Sequence, residues 1–256
     1  MTLRLAAAGL AALSLTVAGA PAIAKTTAPV KNIVLVHGAW ADGSGWNGVY
    51  NILVKDGYKV TVVANPLTSL AEDVAATERV LARQDGPVIL AGHSYGGAII
   101  SEAGNDPKVA GLVYIAAFAP DDGESVLGLQ PKSDAPPPFD VDKQGFAYLK
   151  REAFLHAFAP DVGDQLGAFM ADAQVPFSVP NAGTAPVTKP AWKTKPSWYM
   201  VAKDDQIIPP DTERMMAKRA KAVVITESPG SHVVFISHPD AVAALIEQAA
   251  KTVKVK

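Results

Sequence analysis

The amino-acid sequence predicts an α/β fold: a mostly parallel central sheet of about six strands, flanked by helices. Two observations predict it. Short β-rich apolar runs alternate along the chain with amphipathic stretches, the arrangement that buries a parallel sheet between helical layers. One of those runs, Val88 to Ala91, leads through Gly92-His93-Ser94-Tyr95-Gly96-Gly97 directly into a helix-compatible stretch, a strand-turn-helix passage built around glycines.

In chain order, the strands are expected at Ile33–Val36, Val60–Ala64, Val88–Ala91, Gly111–Ala116, Trp198–Ala202 and Val223–Thr226. Between or after them, helices are expected at Gly45–Asp56, Ser69–Gln84, Tyr95–Asn105, Asp211–Ala220 and Ser237–Lys251. The last has a start signal of its own, with Ser237 as N-cap, Pro239 in the first turn and Asp240 at the third position. The alternation breaks between Ala119 and Pro196. That region is rich in proline yet carries Phe139, Phe146, Phe154, Phe158, Phe169, Phe177 and Trp192, too many aromatics for an unstructured linker. Helical patterns fit Lys143–Phe158 and Asp161–Ala173, so a helical cap insertion, about residues 120–196, is expected over one end of the sheet.

The first residues read as a leader. One positive side chain in Met1–Arg4, an Ala/Leu-rich stretch from Leu5 to Val17 and the small-residue sequence Ala22-Ile23-Ala24 match a secretory signal peptide over residues 1–24, cleaved before Lys25. As a membrane anchor, Leu5–Ala24 is barely long enough and is interrupted by Gly9, Gly19 and Pro21. The expected mature chain, residues 25–256, fits one domain and is exported, periplasmic or secreted. It has no cysteine, so no lipid anchor or disulfide can be built on one, and packing must hold it. A net charge of −2 and a pI near 6.2 give no electrostatic case for nucleic acid. Five scattered histidines without H-E-x-x-H give none for a metal.

The chemistry centres on Gly92-x-Ser94-x-Gly96. A strand turning sharply into a helix forces its turn residue into strained backbone angles, and small residues two positions either side let the elements approach. The serine hydroxyl is thereby raised off the sheet, facing the free N–H groups of the helix start. Serine needs an adjacent base held by a third group. His232 lies in the turn-rich loop 227–232 after the last strand, at the same carboxyl edge of the sheet as Ser94, while His238 has a structural role at the start of the final helix. The acid should follow the preceding strand, where Asp204 and Asp205 both qualify. Asp121, Asp122 and Glu124, after the fourth strand, are another source. An oxyanion needs two donors. Tyr95 supplies one backbone N–H, and Ala39, in the small-residue loop after His37-Gly38, is the choice for the other.

These segments resemble the α/β-hydrolase superfamily, and within it the hydroxynitrile lyase and plant methylesterase branch with its bacterial esterase relatives. The resemblance spans nearly all of Lys31–Ala250 in element order. It is most specific at Val36-His37-Gly38-Ala39-Trp40, at Gly92-His93-Ser94-Tyr95-Gly96-Gly97, at Ala116-Ala117-Phe118-Ala119-Pro120 and at Asp205-Gln206-Ile207-Ile208-Pro209. It implies the order serine, acid, histidine, places the acid at Asp205 through D-x-x-I-P, and matches His232 in its G-x-H context. Lyases of the branch carry lysine after the histidine and threonine in the first oxyanion loop; Val233 and Ala39 stand there instead. A valine cannot hold cyanide.

The expectation is therefore a serine esterase acting on small, largely apolar esters through an acyl-enzyme. Ser94 is its nucleophile, His232 its base, Asp205 its acid, and Ala39 and Tyr95 form the oxyanion hole; no cofactor is needed. The rivals are another reaction on the same residues (lyase, lactonase, thioesterase or perhydrolase) and a non-catalytic binding protein on the same scaffold.

Overall fold

The computed structural model describes residues 29–132 and 135–253; the expected leader, residues 1–24, lies outside them. The first half of the chain runs β1 (Asn32–Val36), α1 (Asn47–Lys55), β2 (Lys59–Val63), α2 (Leu70–Ala82), β3 (Val88–Ser94), α3 (Gly96–Ala103) and β4 (Val109–Ala117). The cap follows: β5 (Phe139–Val141), β6 (Phe146–Leu149), α4 (Arg151–Ala153), α5 (Asp164–Asp172) and β7 (Phe177–Ser178). The chain closes with β8 (Ser197–Ala202), α6 (Pro210–Arg219), β9 (Val224–Ser228), α7 (Val234–Ser237) and α8 (Pro239–Thr252).

Six parallel strands form one sheet in the order β2-β1-β3-β4-β8-β9. Its inner strands are buried on both faces. Val34 and Val36 of β1 pack with Leu81, Ile99 and Met216 in one apolar layer, while Ile33 and Leu35 pack with Val49, Leu53 and Ile246 in the other. Alternation along the strand thus feeds two cores, which is why these runs read as continuously apolar. Strand order reverses between β1 and β3, so the loops leaving their carboxyl ends diverge and open a crevice there. Ser69 caps α2 by accepting from the Glu72 amide at 3.1 Å.

Two expectations are corrected. Residues 143–158 are not one helix. Gly145, at φ +87°, closes a hairpin whose turn is tied by Asp142 Oδ1 accepting from the amides of Gln144 (2.8 Å) and Phe146 (3.0 Å). The chain then forms β6, antiparallel to β5 and β7, and becomes helical only at Arg151, continuing through a wider turn at Phe154–Phe158. Phe146, Ala147, Tyr148 and Leu149 alternate outward and inward, a period of two that the helical pattern around them concealed. Ser237 does not cap the final helix either. It ends the short α7, and His238 occupies the capping position without a side-chain bond. The Ser237 hydroxyl is drawn instead to Asp161 Oδ2, at 2.9 Å.

Candidate active site

Ser94 is the last residue of β3 and holds φ at +54°, a left-handed conformation that costs a non-glycine residue energy. Its neighbours are small because backbone crosses where side chains would stand. A Cβ on Gly92 would meet the Gly96 carbonyl oxygen at 2.6 Å, and one on Gly96 would meet the Val36 carbonyl oxygen at 2.7 Å. The turn presents Ser94 Oγ to His232 Nε2 at 2.8 Å, and His232 Nδ1 lies 2.6 Å from Asp205 Oδ2. All three are buried. The other Asp205 oxygen accepts from the amides of Ile207 (2.7 Å) and Ile208 (2.9 Å), so one carboxylate edge faces its own loop and the other faces the imidazole.

The neighbouring candidates have other partners. Asp204 faces away from the imidazole and fastens the histidine loop, accepting from the Gly230 amide at 3.0 Å while its own amide donates to the Gly230 carbonyl at 3.1 Å. Asp121 pairs with Lys193, and Glu124 pairs with Arg219 at 2.6 Å. His238 bonds to the Ser237 hydroxyl at 2.9 Å. The structure therefore brings Ser94, His232 and Asp205 together and leaves the rest outside.

Ala39 and Tyr95 flank the serine across the crevice between β1 and β3, and both line the same cavity as Ser94. Neither backbone amide donates to an acceptor among the described residues, which leaves both free for an incoming oxygen. The Ala39 loop is fixed from beneath by His37. Its Nε2 accepts from the Asn65 amide at 3.0 Å, and its Nδ1–H donates to the Gly38 carbonyl at 3.0 Å. Burial lowers the His37 pKa and keeps the ring neutral, as one donor and one acceptor require. Tyr95 is fixed from its side chain: the phenol donates to Asp73 Oδ2 at 2.7 Å, and Asp73 Oδ1 accepts from the Leu67 amide at 2.8 Å. Burial is the main reason that the Asp73 pKa is raised to about 6, against the opposing pull of its two hydrogen bonds.

Two further groups hold the histidine. His93, fully buried, lies 2.8 Å through Nε2 from the His232 carbonyl, and burial lowers its pKa well below the ordinary histidine value. The neutral ring thus donates Nε2–H to a peptide oxygen. From the cap, Asp161 accepts from the Ser231 amide at 2.8 Å and the Ser231 hydroxyl at 2.5 Å. Burial would raise the Asp161 pKa, but the bonds from Ser231 and Ser237 outweigh it and hold it below the usual value. None of His37, Asp73, His93 and Asp161 was assigned a role in the site from sequence. Asp73 left a trace there, as a carboxylate on the apolar face of α2 beside Leu70 and Thr77.

The cavity over Ser94 has a volume of about 570 Å³ and is lined largely by Trp40, Phe118, Leu127, Phe139, Phe177 and Ile207, with Gln130 and Gln206 but, among the described residues, no charged side chain. Trp40, at φ +56°, is its hinge with the cap: the indole N–H donates to the Ala147 carbonyl at 3.1 Å, and the ring meets Phe139, Phe158 and Phe177. Val233 is buried and lines a separate cavity of about 250 Å³ that shares Trp40 as a wall. Among the described residues, no three His, Asp or Glu side chains converge as metal ligands.

The sequence profile of the alpha/beta hydrolase family matches residues 33–245. A pyrethroid hydrolase from Sphingobium wenxiniae is 32% identical over 256 aligned residues, covering 85% of this chain and 86% of that protein. The crystal structure of the pyrethroid hydrolase PytH superposes with a TM-score of 0.74 at 25% identity, covering 87% of this chain and 98% of the other. A methylesterase from Arabidopsis shares the fold, with a TM-score of 0.71 at 20% identity over 86% of this chain and 98% of its own.

Proposed function

We propose that this chain, which belongs to the alpha/beta hydrolase family, is a serine esterase that cleaves neutral, largely apolar carboxylic esters through an acyl-enzyme. The observation that carries the reading is the buried relay from Ser94 Oγ through His232 to Asp205, with separations of 2.8 and 2.6 Å. Ser94 attacks the ester carbonyl as His232 Nε2 takes its proton. The amides of Ala39 and Tyr95 receive the oxyanion, and the protonated imidazole, steadied by Asp205, returns the proton to the departing alkoxide. Water repeats the sequence on the acyl-enzyme.

The described lining of the cavity, aromatic and uncharged, supports an apolar substrate, since a buried ionic group would meet no partner among those residues. That a relative is a pyrethroid hydrolase agrees with this choice. Against a lyase reading stands the position after His232, where the resemblance implies a lysine in lyases and this chain carries the buried, apolar Val233. We also propose export, with the first 24 residues removed; N-terminal sequencing of protein from its native host should begin at or near Lys25.

The test compares p-nitrophenyl esters, lactones, thioesters and mandelonitrile on one preparation, together with labelling by a fluorophosphonate. The expected result is rapid esterolysis, no cyanide release, and labelling abolished by Ser94→Ala. Faster cleavage of the cyanohydrin than of p-nitrophenyl acetate would overturn the reaction assignment. Absence of labelling in wild-type protein would overturn the enzyme reading.

A further inference from the structure

Glu213 has no part in the relay, yet it is the one glutamate among the described residues that is fully buried, at 0% exposure on the inward face of α6 with Met216 and Ala217. Its Oε2 takes a long hydrogen bond, 3.4 Å, from the Ala202 amide at the end of β8. Its Oε1 is buried with no donor to serve it. The group that it does face is another acceptor: its carboxyl is in hydrogen-bonding reach of the Asp205 carboxyl. Two ionised carboxylates in that position would repel each other in a medium that screens poorly, whereas a single shared proton turns the contact into a bond.

Among the described residues, no cation takes this role. Arg214, the next residue on α6, directs its guanidinium outward to Asp211 (2.8 Å) and Glu227 (2.8 Å) and pulls on Glu213 only weakly from a distance. Tyr199, buried on β8, is close enough to feel the charge of both acids but donates its hydroxyl to the Ala117 carbonyl. Burial first, and then the charge of Asp205, raise the Glu213 pKa well above the carboxylate range.

We propose that Glu213 is a protonated carboxylic acid that donates a hydrogen bond to Asp205 and thereby positions the triad aspartate and moderates its charge. Asp205 then has four donors: His232 Nδ1, the amides of Ile207 and Ile208, and Glu213. Glu213 is a positioning residue, acting on the imidazole only through Asp205, and this role rests on the triad reading above.

Glu213→Gln and Glu213→Met separate this role from simple packing. Glutamine can donate to Asp205 and accept from Ala202, as the protonated acid does; methionine fills the space and does neither. The Gln variant should keep kcat within about threefold of wild type and leave the acid limb of the kcat/KM profile in place. The Met variant should lose about tenfold in kcat at nearly constant KM. Its acid limb should move up by roughly half a unit to one unit, because a less solvated Asp205 attracts a proton on His232 more strongly. An ionised Glu213 would behave differently, with the Gln variant shifting that limb downward. That shift, or an equal loss in both variants, would overturn the proposal. A second measurement needs no turnover: the infrared difference spectrum of wild type minus Glu213→Gln at neutral pH should contain the C=O stretch of a protonated carboxylic acid. Its absence would refute the protonated state even if fluorophosphonate labelling upholds Ser94, and its presence would stand even if the ester assignment failed.

Discussion

Asp161 of the cap accepts both donors of Ser231, the residue before His232: the backbone N–H at 2.8 Å and the hydroxyl at 2.5 Å. The loop that carries His232 is therefore held by a segment of the cap, and further held by Asp204 on Gly230 and His93 on the His232 carbonyl. Because Asp161 lies at the surface, water can replace part of what it provides. Replacing it with alanine should cost about 1 kcal/mol of stability. Loss of loop order should lower kcat by roughly threefold to tenfold with less change in KM. Steady-state kinetics and thermal melts on Asp161→Ala and Asp161→Asn check this, with the Asn variant retaining the larger share. Wild-type kcat in the Ala variant would show that the loop holds its place without the cap.

The two adjacent aspartates should separate cleanly. Asp205→Asn removes the charge facing the imidazole and should lower kcat by about 10³ to 10⁴. Asp204→Asn keeps an oxygen for the Gly230 amide and should cost less than about tenfold. Comparable losses at both positions would contradict the hydrogen-bonding pattern.

Asp73 makes a prediction about pH. Its folded pKa is raised to about 6 from an ordinary value of 3.8, so the folded protein binds this proton more tightly than the unfolded chain does. Stability from this group is present below about pH 4 and is lost as pH climbs through about 6. Asparagine does not titrate. The stability of wild type relative to Asp73→Asn should therefore be greater at pH 4 than at pH 7.5, measured by urea denaturation at each pH. A difference that stays flat or reverses would mean that the carboxyl is not strained by burial.

Gly38 tests the approach of the oxyanion loop to the nucleophile. A Cβ there would meet Ser94 Cβ at 2.6 Å and the His93 carbonyl oxygen at 2.9 Å, both parts of a rigid turn. Gly38→Ala should destabilise the fold by about 1 to 3 kcal/mol, and kcat should fall by at least about a hundredfold as Ala39 is pushed away from the oxyanion. Circular dichroism and esterase assays on the purified variant decide it.

How far the sequence could be read depended on whether the signal was local. Strands β1, β3, β4 and β8 are buried on both faces, so their apolar runs stand out, and Gly92, Ser94 and Gly96 mark a passage that few other structures need. The relay followed because each strand of a parallel sheet delivers its loop to the same edge. The cap was harder. Phe146–Leu149 is four residues long and its partners lie in β5 and β7, so the pairing that makes it a strand is written partly elsewhere. Asp161 and Ser237 were likewise invisible as a pair, being 76 residues apart. Glu213 and Asp73 occupy an intermediate class: each is a carboxylate on a helix face otherwise turned to the core, legible as an oddity but not as a partner of Asp205 or Tyr95.

The attachment of Trp40 has a consequence for how this scaffold can diversify. Its indole donates to β6 and its ring is enclosed by Phe139, Phe158 and Phe177, while the adjacent Ala39 carries one of the two amides proposed for the oxyanion. Cap and Ala39 loop are thus physically coupled in this chain rather than independent modules. A cap transplanted onto this chain would have to reproduce the aromatic socket for Trp40 and the Asp161 carboxylate for Ser231 to keep both loops supported. New substrate preferences on this chain are more accessible through substitutions at cavity walls remote from those anchors, such as Leu127 and Gln130, than through exchange of the cap as a block.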